Sequence, residues 1–259
     1  MSFIGRITRK VGIYNLVRYS PFYPHIQKVR NPAYFHLLEE EEAFYRMLCS
    51  DRKVDLIFDV GANLGDKAEV FSRIAHRVIC FEPEPRLAQH LRRRFRHSPQ
   101  IVIEECGLSD REGLAELHAY EEGSAYNTFS TDQHKLVVNG QKQHQLIPVA
   151  ITTLDAMIAK HGTPQLLKVD VEGHENEVFS GLSTRIGLIS YEANLPDFAV
   201  KTCVVARRLG SMAPNVRFGV GGSGRIMTGD FPLTTDALCQ LVSSPVAPSF
   251  LEVFVKLSE

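Results

Sequence analysis

The chain carries almost no net charge. Its 29 Lys and Arg are offset by 30 Asp and Glu, so no global field recruits nucleic acid or an anionic membrane. It lacks any run approaching the roughly 20 apolar residues that would span a bilayer. Its beginning does not read as a secretion leader, because Arg6, Arg9 and Lys10 interrupt any apolar core and no small-residue cleavage site follows. Cysteine is sparse. Cys49, Cys80, Cys106, Cys203 and Cys239 are scattered and odd in number. None forms C-x-x-C, which argues against a disulfide framework and a zinc site, and a reducing, cytoplasmic setting fits best. Internal repeats and low-complexity tracts are absent. G-V-G-G-S-G-R (Gly219 to Arg225) has no G-K-[ST] after it, so it reads as a hairpin and not as a phosphate loop.

What remains is an ordinary globular composition, 44% apolar and 23% charged over 259 residues. That length suits one large α/β domain or two small ones. The first thirty residues carry six Lys or Arg and no acid. Phe3, Ile7, Val11 and Tyr14 recur there at helical spacing. Asn31-Pro32 then opens a second helix running to about Cys49. From Val54 onward short apolar strands alternate with helices, as βαβ units of a mostly parallel sheet do. F-L-E-V-F-V-K-L near the end alternates partly and is expected to pair antiparallel.

The first strand of that series ends in D-V-G-A-N-L-G (Asp59 to Gly65). Gly61 and Gly65 permit positive φ, and Asn63 tolerates the left-handed region. Backbone amides at a helix start suit a carboxylate or phosphate. The glycines read G-x-x-x-G, whereas a dinucleotide fingerprint needs G-x-G-x-x-G, so a nicotinamide cofactor is the weaker reading. S-adenosylmethionine is the stronger one: Asp59 can meet its ammonium and the turn its carboxylate. The second strand ends in F-E-P, which sets Glu82 at the rim to accept hydrogen bonds from both ribose hydroxyls. C-G-L-S-D places Ser109 and Asp110 at the end of the third strand, within reach of an adenine.

L-L-K-V-D-V-E-G-H-E (Leu166 to Glu175) packs ionisable groups onto a strand end, which is costly unless they are paired or functional. Asp170 is expected to face the crevice, with Lys168 pairing to it or to Glu192. His174 is the first candidate for general base, since an imidazole titrates near neutral pH. Asp170 is the second, as base or as the group orienting the histidine. A divalent metal held by Asp170, Glu172 and His174, perhaps with Glu192, is an alternative that is not adopted.

The run D-V-G-A-N-L-G, F-E-P, S-D-R-E-G, T-L-D (Thr153 to Asp155) and K-V-D-V-E-G-H-E followed by Gly181 resembles the FkbM family of S-adenosylmethionine-dependent methyltransferases over about residues 54–192. The resemblance implies a Rossmann-like class I methyltransferase fold, with a seven-stranded, mostly parallel sheet, an antiparallel C-terminal strand and an N-terminal helical extension. It implies methyl transfer to a hydroxyl of a sugar or other small molecule. Cofactor contacts then fall on Asp59, Gly61, Asn63, Gly65, Glu82 and Asp110. Asp66-Lys67 departs from the aromatic or small polar residue that relatives often carry there.

Residues 1–50 are expected to form the extension and 51–259 the methyltransferase domain. The polar stretch from His118 to Lys135 is a candidate acceptor wall, with Tyr126, Asn127 and His134 able to bond or stack on a sugar. The R-R-R-F-R run (Arg92 to Arg96) reads as a solvated face, and no nucleic-acid partner is expected. The basic N-terminus reads as a brace over the domain, with contact to a membrane surface or partner subunit as the alternative. A non-catalytic binding module on the same fold is the rival to an enzyme. Nothing in the sequence fixes the oligomeric state.

Overall fold

The computed structural model describes residues 32–120, 127–132, 144–222, 225–226 and 231–257. The amphipathic basic segment over residues 3–14 lies outside them, as do Tyr126 and His134.

The first described element is α1 (Pro32–Leu48). Strand β1 (Leu56–Val60) and helix α2 (Asp66–Phe71) follow. Next come β2 (Arg77–Phe81), α3 (Pro85–Arg94) and β3 (Ile101–Glu104). Three strands build a second sheet: β4 (Gly107–Leu108), β5 (Gly113–Ala119) and β6 (Gln145–Thr152). The main alternation resumes with α4 (Leu154–His161), β7 (Leu166–Val169), α5 (Glu175–Ser180) and β8 (Leu188–Asn194). The chain closes with α6 (Ala199–Gly210), β9 (Arg217–Gly222), β10 (Arg225–Ile226), α7 (Thr235–Val242) and β11 (Phe250–Lys256).

Seven strands form the main sheet in the order β3-β2-β1-β7-β8-β11-β9, and the two-residue β10 extends its edge. Neighbours from β3 to β8 pair parallel, while β11 inserts antiparallel between β8 and β9. Strands β9 and β10 pair antiparallel, with Arg225 opposite Gly222, as the expected hairpin requires. The expected fold class is therefore the observed one.

Burial explains why the strands read as continuous apolar runs, since helices cover both faces. Phe58, Leu167 and Ile189 point to the face packed by α4, α5, α6 and α7. Ile57, Val78, Leu166 and Phe254 point to the face packed by α1 and α2. There Phe44 meets Phe254 edge-on at 5.1 Å and Tyr45 meets Phe71 at 4.9 Å, so α1 is cemented onto the sheet by aromatic contacts.

Helix α2 stops at Phe71, where the chain tightens into a turn and Ser72 Oγ donates to the Glu69 carbonyl. One expectation changes. Ser109 and Asp110 do not end the third strand. That strand stops at Glu104, and Ser109 leaves β4, its backbone N–H bonded to Thr152 in the second sheet.

Candidate active site

The carboxyl ends of the parallel strands meet the second sheet in one cleft. Gly61, Asn63, Glu82, Pro83 and Leu87 line one side, and Asp170, Val171 and Glu172 line the next. Leu117 of β5 and the Asn127–Phe129 segment close over it.

The glycine turn is tightly tied to Glu82. The backbone N–H groups of Gly61 and Ala62 both donate to the Phe81 carbonyl at 3.0 and 3.2 Å. The Asn63 N–H donates to Glu82 Oε2 at 2.8 Å, and the Glu84 N–H to Oε1 at 3.0 Å. Gly61 has φ +84° and Asn63 φ +49°, as the sequence foresaw. The neighbour that needs Gly61 bare is the protein itself, since a Cβ there would lie 1.8 Å from the Asp170 carbonyl oxygen. Gly65, at φ +86°, would press a Cβ to 2.7 Å from Leu91 and Phe95. Gly65 thus serves the packing of α2 against α3.

Burial is the main influence on Glu82, pushing its carboxyl up to about 7, against the pull of its two backbone donors. Beneath the cleft Asp59 is 2% exposed, and its Oδ2 has no hydrogen-bond partner among the described residues. Burial lifts Asp59 to about 7, partly offset by Lys168.

Lys168 is wholly buried in β7, with Nζ 3.2 Å from Asp170 Oδ2 and 3.4 Å from Glu192 Oε1. Burial opposes its charge, but Asp170, Glu192, Glu252 and Asp59 outweigh that and hold its pKa well above the usual range. It is a fixed cation and no proton acceptor. Glu192 is raised to about 8, chiefly by burial, and is hydrogen-bonded to Asp170. Glu172, with φ +50°, is raised to about 9 by burial and by neighbouring Asp170. Under this cluster the Tyr45 hydroxyl donates to Glu252 Oε1 at 2.7 Å, and Ser190 Oγ donates to the same oxygen.

His174 takes a different place. Its Nε2 is 3.1 Å from Ser109 Oγ and its Nδ1 is 3.4 Å from Glu177 Oε2. The ring packs 5.1 Å from Phe129, whose far side lines the cleft. Burial lowers its pKa, so the imidazole is neutral at pH 7. Ser109 is buried and also bonds Asp110, which is exposed and paired with Arg111.

The predicted residues thus divide into groups. Gly61, Asn63, Glu82 and Asp170 share the cleft. Asp59 and Lys168 lie below it, Ser109, Asp110 and His174 flank it, and Gly65 faces α3. Among the described residues no three His, Cys, Asp or Glu side chains converge as metal ligands would.

Asn127, named from the sequence, lines the cleft, whereas its neighbours Thr128 and Phe129, within the same marked stretch, were not singled out. Sequence reasoning also missed Tyr45 and Glu252. A carboxylate between Phe250 and Phe254 on one strand face was the available signal for Glu252.

The donor set fits an adenosyl sulfonium compound. Glu82 offers carboxylate oxygens at the end of the second strand, beside the Gly61–Asn63 turn that lines the cleft. The unpartnered Asp59 oxygen leaves a free hydrogen-bonding group below it. A carboxylate at that strand end is the usual partner of ribose hydroxyls.

The sheet order, the antiparallel β11 and the cleft at the carboxyl ends of the strands define a Rossmann-like class I methyltransferase fold. The chain belongs to the Methyltransferase FkbM domain family, which it matches over residues 59–208. It is 30% identical over 156 residues to a hexuronic acid methyltransferase, AglP, of Haloferax volcanii, covering 60% of this chain and 61% of that protein. It is 27% identical over 137 residues to a 2-O-methyltransferase, NoeI, of Sinorhizobium fredii, covering 49% of this chain and 56% of that one. The chain thus spans about three-fifths of these relatives' length. The crystal structure of a methyltransferase FkbM from Methylobacillus flagellatus superposes with a TM-score of 0.49 at 14% identity, covering 78% of this chain and 44% of that one.

Proposed function

We propose that the protein moves a methyl group from S-adenosylmethionine to a hydroxyl oxygen of a sugar or other small molecule. The observation that carries this reading is the joining of Glu82 to the Gly61–Asn63 turn in a cleft that Asp170 also lines. The activities of the two relatives, on hexuronic acid and at a 2-O position, support a sugar hydroxyl as acceptor. All five cysteines are free thiols, which supports a reducing, cytoplasmic setting. No described helix is long and apolar enough to cross a membrane.

When bound, the cofactor supplies a methyl carbon already activated by positively charged sulfur. Glu82 would hold the ribose, and the Gly61–Asn63 turn, whose N–H groups are already bonded to Phe81 and Glu82, would let the amino-acid tail pass close by without donating to it. The second sheet excludes water, and alignment of the acceptor oxygen contributes much of the rate, ~7–11 kcal/mol in well-oriented systems. The proton of the acceptor hydroxyl passes to Asp170. Asp170 is favoured over His174 because it lines the cleft, while the imidazole bonds Ser109 through Nε2 and packs on Phe129. His174 then props Phe129 against the cleft.

Calorimetry with S-adenosylmethionine, followed by transfer of labelled methyl to hydroxylated metabolites, tests the reading. Asp170→Asn is expected to keep cofactor affinity within a few-fold and to lose about 100-fold or more in turnover. Full turnover in Asp170→Asn, with loss in His174→Ala, would return the base to His174. A protein that takes up no cofactor at all is a binding module on this fold.

A further inference from the structure

A second, smaller cavity adjoins the cleft. It lies between the start of α5, the first turns of α6 and the end of β8, and its walls include Gly173, Glu175, Tyr191, Glu192, Asn194 and Lys201. Asp170 lines the cleft and Glu192 lines the cavity. Both carboxyls reach the same Lys168 Nζ, at 3.2 and 3.4 Å, so the walls of the two spaces meet around one buried cation.

Tyr191 is 1% exposed, and its hydroxyl has no hydrogen-bond partner among the described residues. A buried hydroxyl left unpaired is costly, so such a group marks a place where something else bonds. The cavity is about 10 Å³, close to what one water needs. A ligand hydroxyl has that size and can both give and take a hydrogen bond, replacing a water without losing its bonds. The wall suits this, with Tyr191, Asn194 and Glu175 all bordering the space and Glu175 close enough to influence the Tyr191 hydroxyl.

We propose that this cavity is an acceptor subsite that seats a second hydroxyl of a sugar, beside the hydroxyl that is methylated at the Asp170–Glu192 pair. The inference rests on the methyltransferase reading and narrows it: the acceptor is a polyol, and a lone alcohol lacks the group that fills the cavity. Tyr191 is its specificity-determining residue.

The test uses the full chain, tritiated S-adenosylmethionine, and methyl glycosides of glucose, fucose and glucuronic acid with their mono-deoxy counterparts. Tyr191→Phe is expected to lower kcat/KM about tenfold on the methylated glycoside, the worth of one hydrogen bond. It should leave cofactor Kd unchanged and the thermal midpoint of the free protein no lower. On the deoxy counterpart that lacks the seated hydroxyl, wild type and Tyr191→Phe should be equal. Asn194→Ala should show the same pattern. Equal losses on every glycoside and its deoxy counterparts, or no loss on any, would overturn the subsite. So would a protein that binds cofactor yet methylates none of these sugars. Absence of cofactor binding would sink the methyltransferase reading itself, and the subsite with it.

Discussion

At the scale of single residues, the proposed function predicts that Glu82 couples cofactor binding to pH. Burial raises its carboxyl to about 7, so around neutrality it is partly protonated. Ribose hydroxyls donate hydrogen bonds and so favour the ionised form. Affinity for S-adenosylmethionine should therefore strengthen as pH rises from about 6 to about 8. Glu82→Gln should bind at least tenfold more weakly, because its NH₂ group faces a backbone N–H that needs an acceptor. Asp59 also titrates near 7, so the comparison of wild type with Glu82→Gln in pH-dependent calorimetry isolates the glutamate. Equal slopes in the two proteins would remove Glu82 from this role. Glu82 was legible in the sequence because a strand-end carboxylate followed by proline has few other uses. The purpose of Gly61 was not. The close approach it permits comes from Asp170, more than a hundred residues away, and no local pattern encodes it.

At the scale of elements, the T-L-D stretch, part of the family resemblance, has a structural account. Thr153 caps α4 by accepting the Ala156 N–H at 3.1 Å. Asp155 accepts the Ser183 and Thr184 N–H groups at 2.9 to 3.2 Å, tying α4 to the turn after α5. Asp155→Ala should cost about 1–2 kcal/mol in denaturant melts, as lost caps do, with cofactor Kd unchanged. A large loss of cofactor binding with unchanged stability would contradict this. The main strands were readable because burial on both faces leaves short apolar runs punctuated by glycine, proline and acids. The pairing of the second sheet was not, since the two-residue β4 pairs with β6 across about forty residues, and β5 and β6 are largely exposed. That nonlocal pairing is what carried Ser109 and Asp110 off the rim of the third strand.

At the scale of the whole molecule, five buried carboxyls are raised by burial. Asp59, Glu82 and Glu175 reach about 7, Glu192 about 8 and Glu172 about 9. Each binds its proton more tightly folded than unfolded. Their contribution to stability is thus complete below the ordinary carboxylate range and fades as pH rises through 7 to 9. The thermal midpoint of the free protein should fall by several degrees between about pH 6 and about pH 9. A flat or rising profile in scanning calorimetry would contradict this. Saturating cofactor should flatten the fall, because it binds the folded state and favours ionised Glu82.

The bond from Tyr45 to Glu252 has one more consequence. Neither residue falls within the 59–208 span that carries the family's likeness, yet together they close the floor under Lys168. The stretch that matches the family borrows its underside from two flanks outside it. A boundary drawn by resemblance alone would cut through the interior of the molecule.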